Sequence, residues 1–220
     1  MKTHNMKTRL MIVFALLGAG FNADLLADMD SSIAKIQRDW ATANYETAGD
    51  KQEKAFKALI EEARSLAASN PDKAEPKVWL AIALSTEAGI TGGFGALSKV
   101  KEARSLLEEA EKINANALNG SVYTSMGSLY YQVPGWPIGF GNDDKAEQYL
   151  QKALAANPDG IDPNYFYGDF MLEQGRLDEA IKYLNKAAAA PDRPGRPLAD
   201  KGRRAEIRKK LNRAKQELDS

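Results

Sequence analysis

The chain has 220 residues, with 30 Lys+Arg against 30 Asp+Glu, a single histidine and no cysteine. Such a balance argues against general nucleic-acid binding while leaving local basic patches possible, and the lack of cysteine excludes disulfides, thiol chemistry, Cys-ligated zinc and acylation at a lipobox. The one histidine is His4, inside a segment that reads as removable, so Ser-His-Asp and Cys-His catalysis are excluded as well, leaving carboxylate acid-base work, Ser-Lys chemistry or hard-cation binding by Asp and Glu.

Residues 1–27 read as an export signal. Lys2, Lys7 and Arg9 supply the positive region, Leu10 to Phe21 the apolar region, and Leu25-Leu26-Ala27 a small-residue cleavage site. An apolar run of about a dozen residues falls short of the roughly 20 that cross a bilayer, so cleavage after Ala27 is expected in place of stable membrane insertion. The predicted mature chain, residues 28–220, is then a single periplasmic α-helical repeat domain with 27 basic and 29 acidic residues.

In chain order, the first predicted helical pair occupies residues 31–47 and 51–69, with Ile33, Ile36 and Trp40 on one stripe. A second pair carries Trp79, Ile82 and Ala83, then Ala103, Leu107 and Ala110. The third has Tyr123, Met126, Gly127 and Tyr130, then Ala146, Leu150, Ala153 and Pro158. The fourth, residues 164–191, has Tyr167-Gly168 and Met171, a turn at Gly175, then Ala180, Leu184, Ala187 and Pro191. Small residues where two helices cross, a large residue one turn later and proline after the second helix resemble the tetratricopeptide pattern, and Ala146 to Ala180 is its 34-residue period. The expected fold is therefore all-α: a tetratricopeptide-like helical-hairpin solenoid of about four divergent repeats and about nine helices. A final helix near residues 199–218, with Ile207, Leu211, Ala214 and Leu218 on its apolar stripe and eight Lys and Arg around it, is expected to cap the end and solvate it.

Two repeats depart from the fourth. Gly168 to Ala180 spans 12 residues, whereas Gly127 to Ala146 spans 19 and Ala83 to Ala103 spans 20, so two turns have gained seven and eight residues. Both inserts hold Gly-Phe-Gly, at 93–95 and 139–141. In the second, Pro134 and Pro137 stiffen a glycine-rich stretch and predict a structured loop that presents Trp136 and Phe140. Trp79, Phe94, Tyr123, Tyr130, Trp136, Phe140, Tyr165 and Tyr167 are the candidate ligand-binding residues. They line a cavity for a small apolar or amphipathic molecule on one reading, and plug the core on the other. The acidic clusters Asp143-Asp144 and Asp159 with Asp162 stand at helix starts, where capping explains them. Neither a calcium loop nor a phosphate loop is present, so no catalytic residue, metal or cofactor is assigned.

The run Val133 to Gly141 with Lys145-Ala146, the stretch Asn157-Pro158-Asp159-Gly160-Ile161-Asp162, Tyr165-Phe166-Tyr167-Gly168, Ala188-Ala189-Ala190-Pro191 and residues 193–197 together resemble the T component family of tripartite ATP-independent periplasmic (TRAP) transporters. The resemblance covers roughly residues 75–210 and is most specific at Pro134-Gly135-Trp136-Pro137. It implies an all-helical, divergent tetratricopeptide fold that associates with the transporter's substrate-binding component and guides apolar ligands. Many relatives are lipoproteins, and this chain has no cysteine to acylate. The expectation is a non-enzymatic periplasmic repeat protein that binds a partner protein and holds a small amphipathic ligand. Alternatives are an envelope scaffold that captures peptides with no small-molecule ligand, and a carboxylate-dependent hydrolase.

Overall fold

The computed structural model describes the backbone of residues 18–219 and the side chains from Asp28 onward, apart from that of Phe94. Most of the export-signal reading, residues 1–17, and the Phe94 ring therefore lie outside the described residues. The chain divides into two units at Ser32, and all the buried residues described below belong to Ile33–Ser220.

Nine helices are seen among the described residues: α1 Gly18–Tyr45, α2 Asp50–Ser69, α3 Ala74–Thr91, α4 Gly93–Asn114, α5 Ala117–Gln132, α6 Asp143–Ala156, α7 Ile161–Glu173, α8 Leu177–Ala189 and α9 Pro197–Leu218. Antiparallel hairpins α3/α4, α5/α6 and α7/α8 are the main packing units, and α3, α5 and α7 also touch one another in a row. The predicted crossing residues are the ones that close each hairpin. Gly127 and Leu150, and Gly168 and Leu184, sit at such crossings with the leucines fully buried, and in the α3/α4 hairpin Ala83 and Leu107 are fully buried as well. A Cβ on Gly127 would come within 2.6 Å of Leu150 Cγ, and one on Gly168 within 2.9 Å of Leu184 Cγ. Only glycine allows the helices to approach so closely there.

The last helix does more than cover an end. Helix α9 packs against both α7 and α8, taking the place that the first helix of a fifth repeat would occupy. Pro197 starts it, since proline's fixed φ suits the first helical position. Ile207 and Ala214 are fully buried as predicted, but Leu218 is exposed. The expectation that its charges only solvate the end needs correction. Arg203 is nearly buried, and Arg204 reaches back to the carbonyls of Ala188 and Ala190 at 2.5 and 2.8 Å, capping the end of α8.

The two inserts take different forms. The first is not a loop: α3 and α4 have 18 and 22 residues against 13 each in α7 and α8, and they meet at Gly92, which has φ 61°. Its added residues lengthen both helices because only Gly92-Gly93, both at positive φ, interrupts helix-compatible sequence. The second insert holds Pro134 and Pro137 and cannot continue a helix. It forms a closed loop pinned by Gly139 N–H to the Gly135 carbonyl at 3.0 Å, Gly141 N–H to Pro134 at 3.0 Å and Asn142 N–H to Tyr130 at 2.8 Å. Cβ atoms at Gly139 and Gly141 would run into the Pro134 and Val133 carbonyls, so the loop depends on glycine at both places. Asn142 then caps α6 by accepting from Lys145 N–H at 2.8 Å.

Candidate functional site

A groove of about 300 Å³ opens among α1, α3, α5, α7 and the segment leading into α9. Its first wall is aromatic. Trp40 and Trp79 meet edge-to-face at 6.3 Å, and Tyr45 stands edge-on to Trp40 at 5.7 Å. The second wall is the α5 face that carries Ser121, Thr124, Ser125, Ser128 and Gln132, spaced so that one helical face is uniformly small and polar. Tyr165 and Phe166 of α7 form the third side, with ring centroids 5.1 Å apart.

Charge enters this groove from the chain between α8 and α9. Asp162 sits in the first turn of α7, where the helix dipole favours an anion, and it accepts from Arg193 Nη1 and, at 2.9 Å, from Arg203 Nε. Arg193 also holds Asp200 at 2.6 Å, and Arg203 holds Glu206 at 2.5 Å. Arg203 lies over the Tyr165 ring at 4.3 Å and the Phe166 ring at 4.9 Å. Burial alone would raise the Asp162 carboxyl pKa, but Arg203, Arg193 and Arg196 together hold it down to about 2. Burial pushes the Tyr45 hydroxyl up to about 12, so it stays protonated at neutral pH.

Arg196 differs from its neighbours. Its guanidinium lies 5.3 Å from the Trp79 ring, and its Nε is buried without a hydrogen-bond partner. Burial, followed by repulsion from Arg193, lowers its pKa to about 10. Trp79 Nε1 is likewise buried with no hydrogen-bond partner, whereas the Tyr45 hydroxyl interacts with Glu206. Trp40 is not in this state, because its Nε1 donates to Thr86 Oγ1 at 3.0 Å.

The eight aromatic residues proposed from the sequence do not share one cavity. Trp79 and Tyr165 line the groove. Tyr130 stacks on Tyr149 at 5.7 Å and meets Phe140 edge-on at 5.8 Å, with Tyr123 near Tyr149 at 6.4 Å, in a separate packed cluster that Arg104, Lys145 and Lys152 cover. Tyr167 packs on Tyr183 and reaches Glu147 at 3.3 Å. Trp136 is 90% exposed and Ile138 67%, so Trp136 neither walls the groove nor plugs the core. The tight backbone bonding of its loop aims both side chains outward. Of the acidic clusters, Asp159 pairs with Lys186 at 3.3 Å and Asp143-Asp144 sit in the first turn of α6.

Trp40 was legible only as part of a core stripe, Arg203 only as a solvating charge of the last helix and Arg193 and Arg196 only within the family resemblance, while Tyr45 and the Ser/Thr face of α5 were not singled out. The serine and threonine spacing on an otherwise apolar helix was the available signal for the α5 face.

Comparison with known proteins agrees with this architecture. Residues 139–195 match the tetratricopeptide-repeat family model, from the end of the second insert through α6, α7 and α8. Among solved structures, the chain is similar to a thermophilic tetratricopeptide-repeat protein of Thermus thermophilus, with a TM-score of 0.54 and 22% identity over 86% of this chain and 94% of that one. No curated protein matches the chain. The fold is a tetratricopeptide-type helical solenoid.

Proposed function

We propose that this protein is a non-enzymatic periplasmic scaffold that binds a partner protein and holds an amphipathic ligand in the groove between Trp40, Trp79, Tyr165 and Phe166. The observation that carries this reading is the pairing of rigid aromatic walls with a small polar α5 face in one opening of about 300 Å³, enough for a small molecule or a few residues of chain. Large rings held by packing offer apolar area at little ordering entropy. The resemblance to TRAP T components supports a transporter's substrate-binding component as the partner, and the basic and apolar segments of residues 1–27 support export. The hydroxyls of α5 also suit a peptide backbone, so an extended partner segment is the second occupant the groove fits.

The test of the groove uses N-phenyl-1-naphthylamine, an uncharged fluorescent amphiphile. Its emission should rise on mixing with the protein. Ser125→Trp, which fills the groove from α5, should abolish the rise, while Trp136→Ala should leave it intact. Emission unaffected by Ser125→Trp would reject the groove as the binding site. Sedimentation of the chain with a substrate-binding component from the same organism tests the partner, and separate migration of the two at micromolar concentration would reject it.

A further inference from the structure

We propose that the groove is a carboxylate-recognition site, in which Arg196 and Trp79 seat the carboxylate of a monoanionic ligand whose apolar body lies along Trp40, Tyr45, Tyr165 and Phe166. The proposal rests on the groove reading above and adds the chemical class of what enters it.

The argument begins with unmade bonds. Buried donors are almost always paired, and each exception asks for a reason. Two of them fall in this one groove: Arg196 Nε and Trp79 Nε1. They are adjacent, because the Arg196 guanidinium lies over the Trp79 ring. Trp79 is only 4% exposed, so no rotation can turn its N–H to bulk water without breaking the packing of α3. Both can donate and do nothing else. A ligand with acceptor oxygens satisfies them together.

Charge narrows the choice further. Arg193 and Arg203 are occupied by Asp162, Asp200 and Glu206, whereas Arg196 makes no ion pair among the described residues. Its lowered pKa agrees with a guanidinium whose desolvation and repulsion from Arg193 outweigh the attraction of Asp162 and Asp200. A planar guanidinium is matched by a planar carboxylate, which can take two of its N–H groups at once. Three arginines and three carboxylates make this cluster neutral as a whole, so a single negative charge is accommodated more readily than a phosphate dianion. The aromatic walls beside the seat require that the rest of the ligand be apolar.

Two sources offer this chemistry, a free aryl or alkyl acid and the C-terminal carboxylate of a chain with an apolar last residue. Isothermal titration of the full mature chain distinguishes them. The probes are 4-phenylbutyrate against 4-phenylbutyramide, and N-acetyl-Gly-Ala-Phe with a free against an amidated carboxyl end. Each acid that binds should do so about tenfold or more tightly than its amide, as a charge-assisted hydrogen bond in a desolvated site requires. Preference for the free acid over the peptide acid assigns the first source, and the reverse order the second. Arg196→Gln should erase the acid preference, and Trp79→Phe should weaken acid binding several-fold while keeping the ring. The comparison of acid with amide needs no variant, so it stands even where Arg196→Gln disturbs folding. Equal affinities for acid and amide, a full acid preference retained in folded Arg196→Gln, or inorganic phosphate binding as tightly as phenylbutyrate would each overturn the carboxylate seat. If N-phenyl-1-naphthylamine binds and neither acid does, the seat is wrong and the groove reading survives. If neither the dye nor the acids bind, both fail.

Discussion

Replacing Gly127 with alanine should destabilise the protein through one specific contact, and that contact can be isolated. The new Cβ would stand 2.6 Å from Leu150 Cγ, 2.8 Å from Leu150 Cδ2 and 3.2 Å from the Leu150 backbone nitrogen. Carbon atoms pack at about 3.5–4.0 Å, so the α5/α6 crossing must open by about 1 Å or Leu150 must leave its rotamer. Overpacking of this kind costs about 1–3 kcal/mol, and the better helix propensity of alanine returns up to about 1 kcal/mol, leaving a net loss of about 1–2 kcal/mol. Leu150 is fully buried, so Leu150→Ala alone should cost about 2–5 kcal/mol. In the double variant the added methyl enters the space that the leucine vacated. The two effects should therefore fall short of their sum by about 1–3 kcal/mol, with Gly127→Ala neutral or favourable in the Leu150→Ala background. Urea unfolding of the four proteins measures this, provided that the denaturant slope is unchanged. Additivity within about 0.5 kcal/mol would refute the reasoning, since it would mean that the two positions do not touch. The equivalent pair should couple less, because the Leu184 backbone nitrogen itself lies 3.0 Å from a Cβ on Gly168 and truncating the side chain does not move it.

Asp162 should confer acid-sensitive stability. Its folded pKa of about 2 lies below the ordinary 3.8, so its contribution is complete above about pH 4 and is lost as pH falls toward 2. With the carboxylate about a quarter exposed and partly screened, the contribution is on the order of 1–2 kcal/mol, and Asp162→Asn should flatten the fall in melting temperature over that window. Parallel curves for the two proteins would count against the pairing with Arg193 and Arg203. Trp136→Ala should change stability by no more than about 0.5 kcal/mol, whereas truncating buried Trp79 should cost about 3–5 kcal/mol; comparable losses in thermal unfolding would contradict the outward placement of Trp136. Amino-terminal sequencing of the exported protein should begin at Asp28, and retention of Met1 would reject cleavage after Ala27.

The repeat frame was legible because helix crossings impose size on particular positions. Gly127, Ala146, Leu150, Gly168, Ala180 and Leu184 carry that constraint openly, and all of them are buried where the period places them. The inserts were legible in length but not in form. Counting residues between Ala83 and Ala103 cannot distinguish a loop from two longer helices, and the outcome turned on two glycines at positive φ with no proline nearby. The groove was harder to read, since its walls come from α1, α3, α5, α7 and the approach to α9, and no local pattern brings Trp40, Ser125 and Arg196 together. Aromatic content pointed toward Trp136, yet burial depends on which way a loop backbone turns, and the bonds from Gly139 and Gly141 turn it outward.

Because α9 stands where another repeat would begin and carries Arg203, with Arg193 and Arg196 just ahead of it, the segment that ends the array also supplies its cationic chemistry. Lengthening the protein by duplicating a hairpin after Ala190 would carry those arginines away from Trp79 and Tyr165. Exchanging one terminal cassette of about 30 residues would therefore change the charge of the groove while leaving its α1, α3, α5 and α7 walls in place.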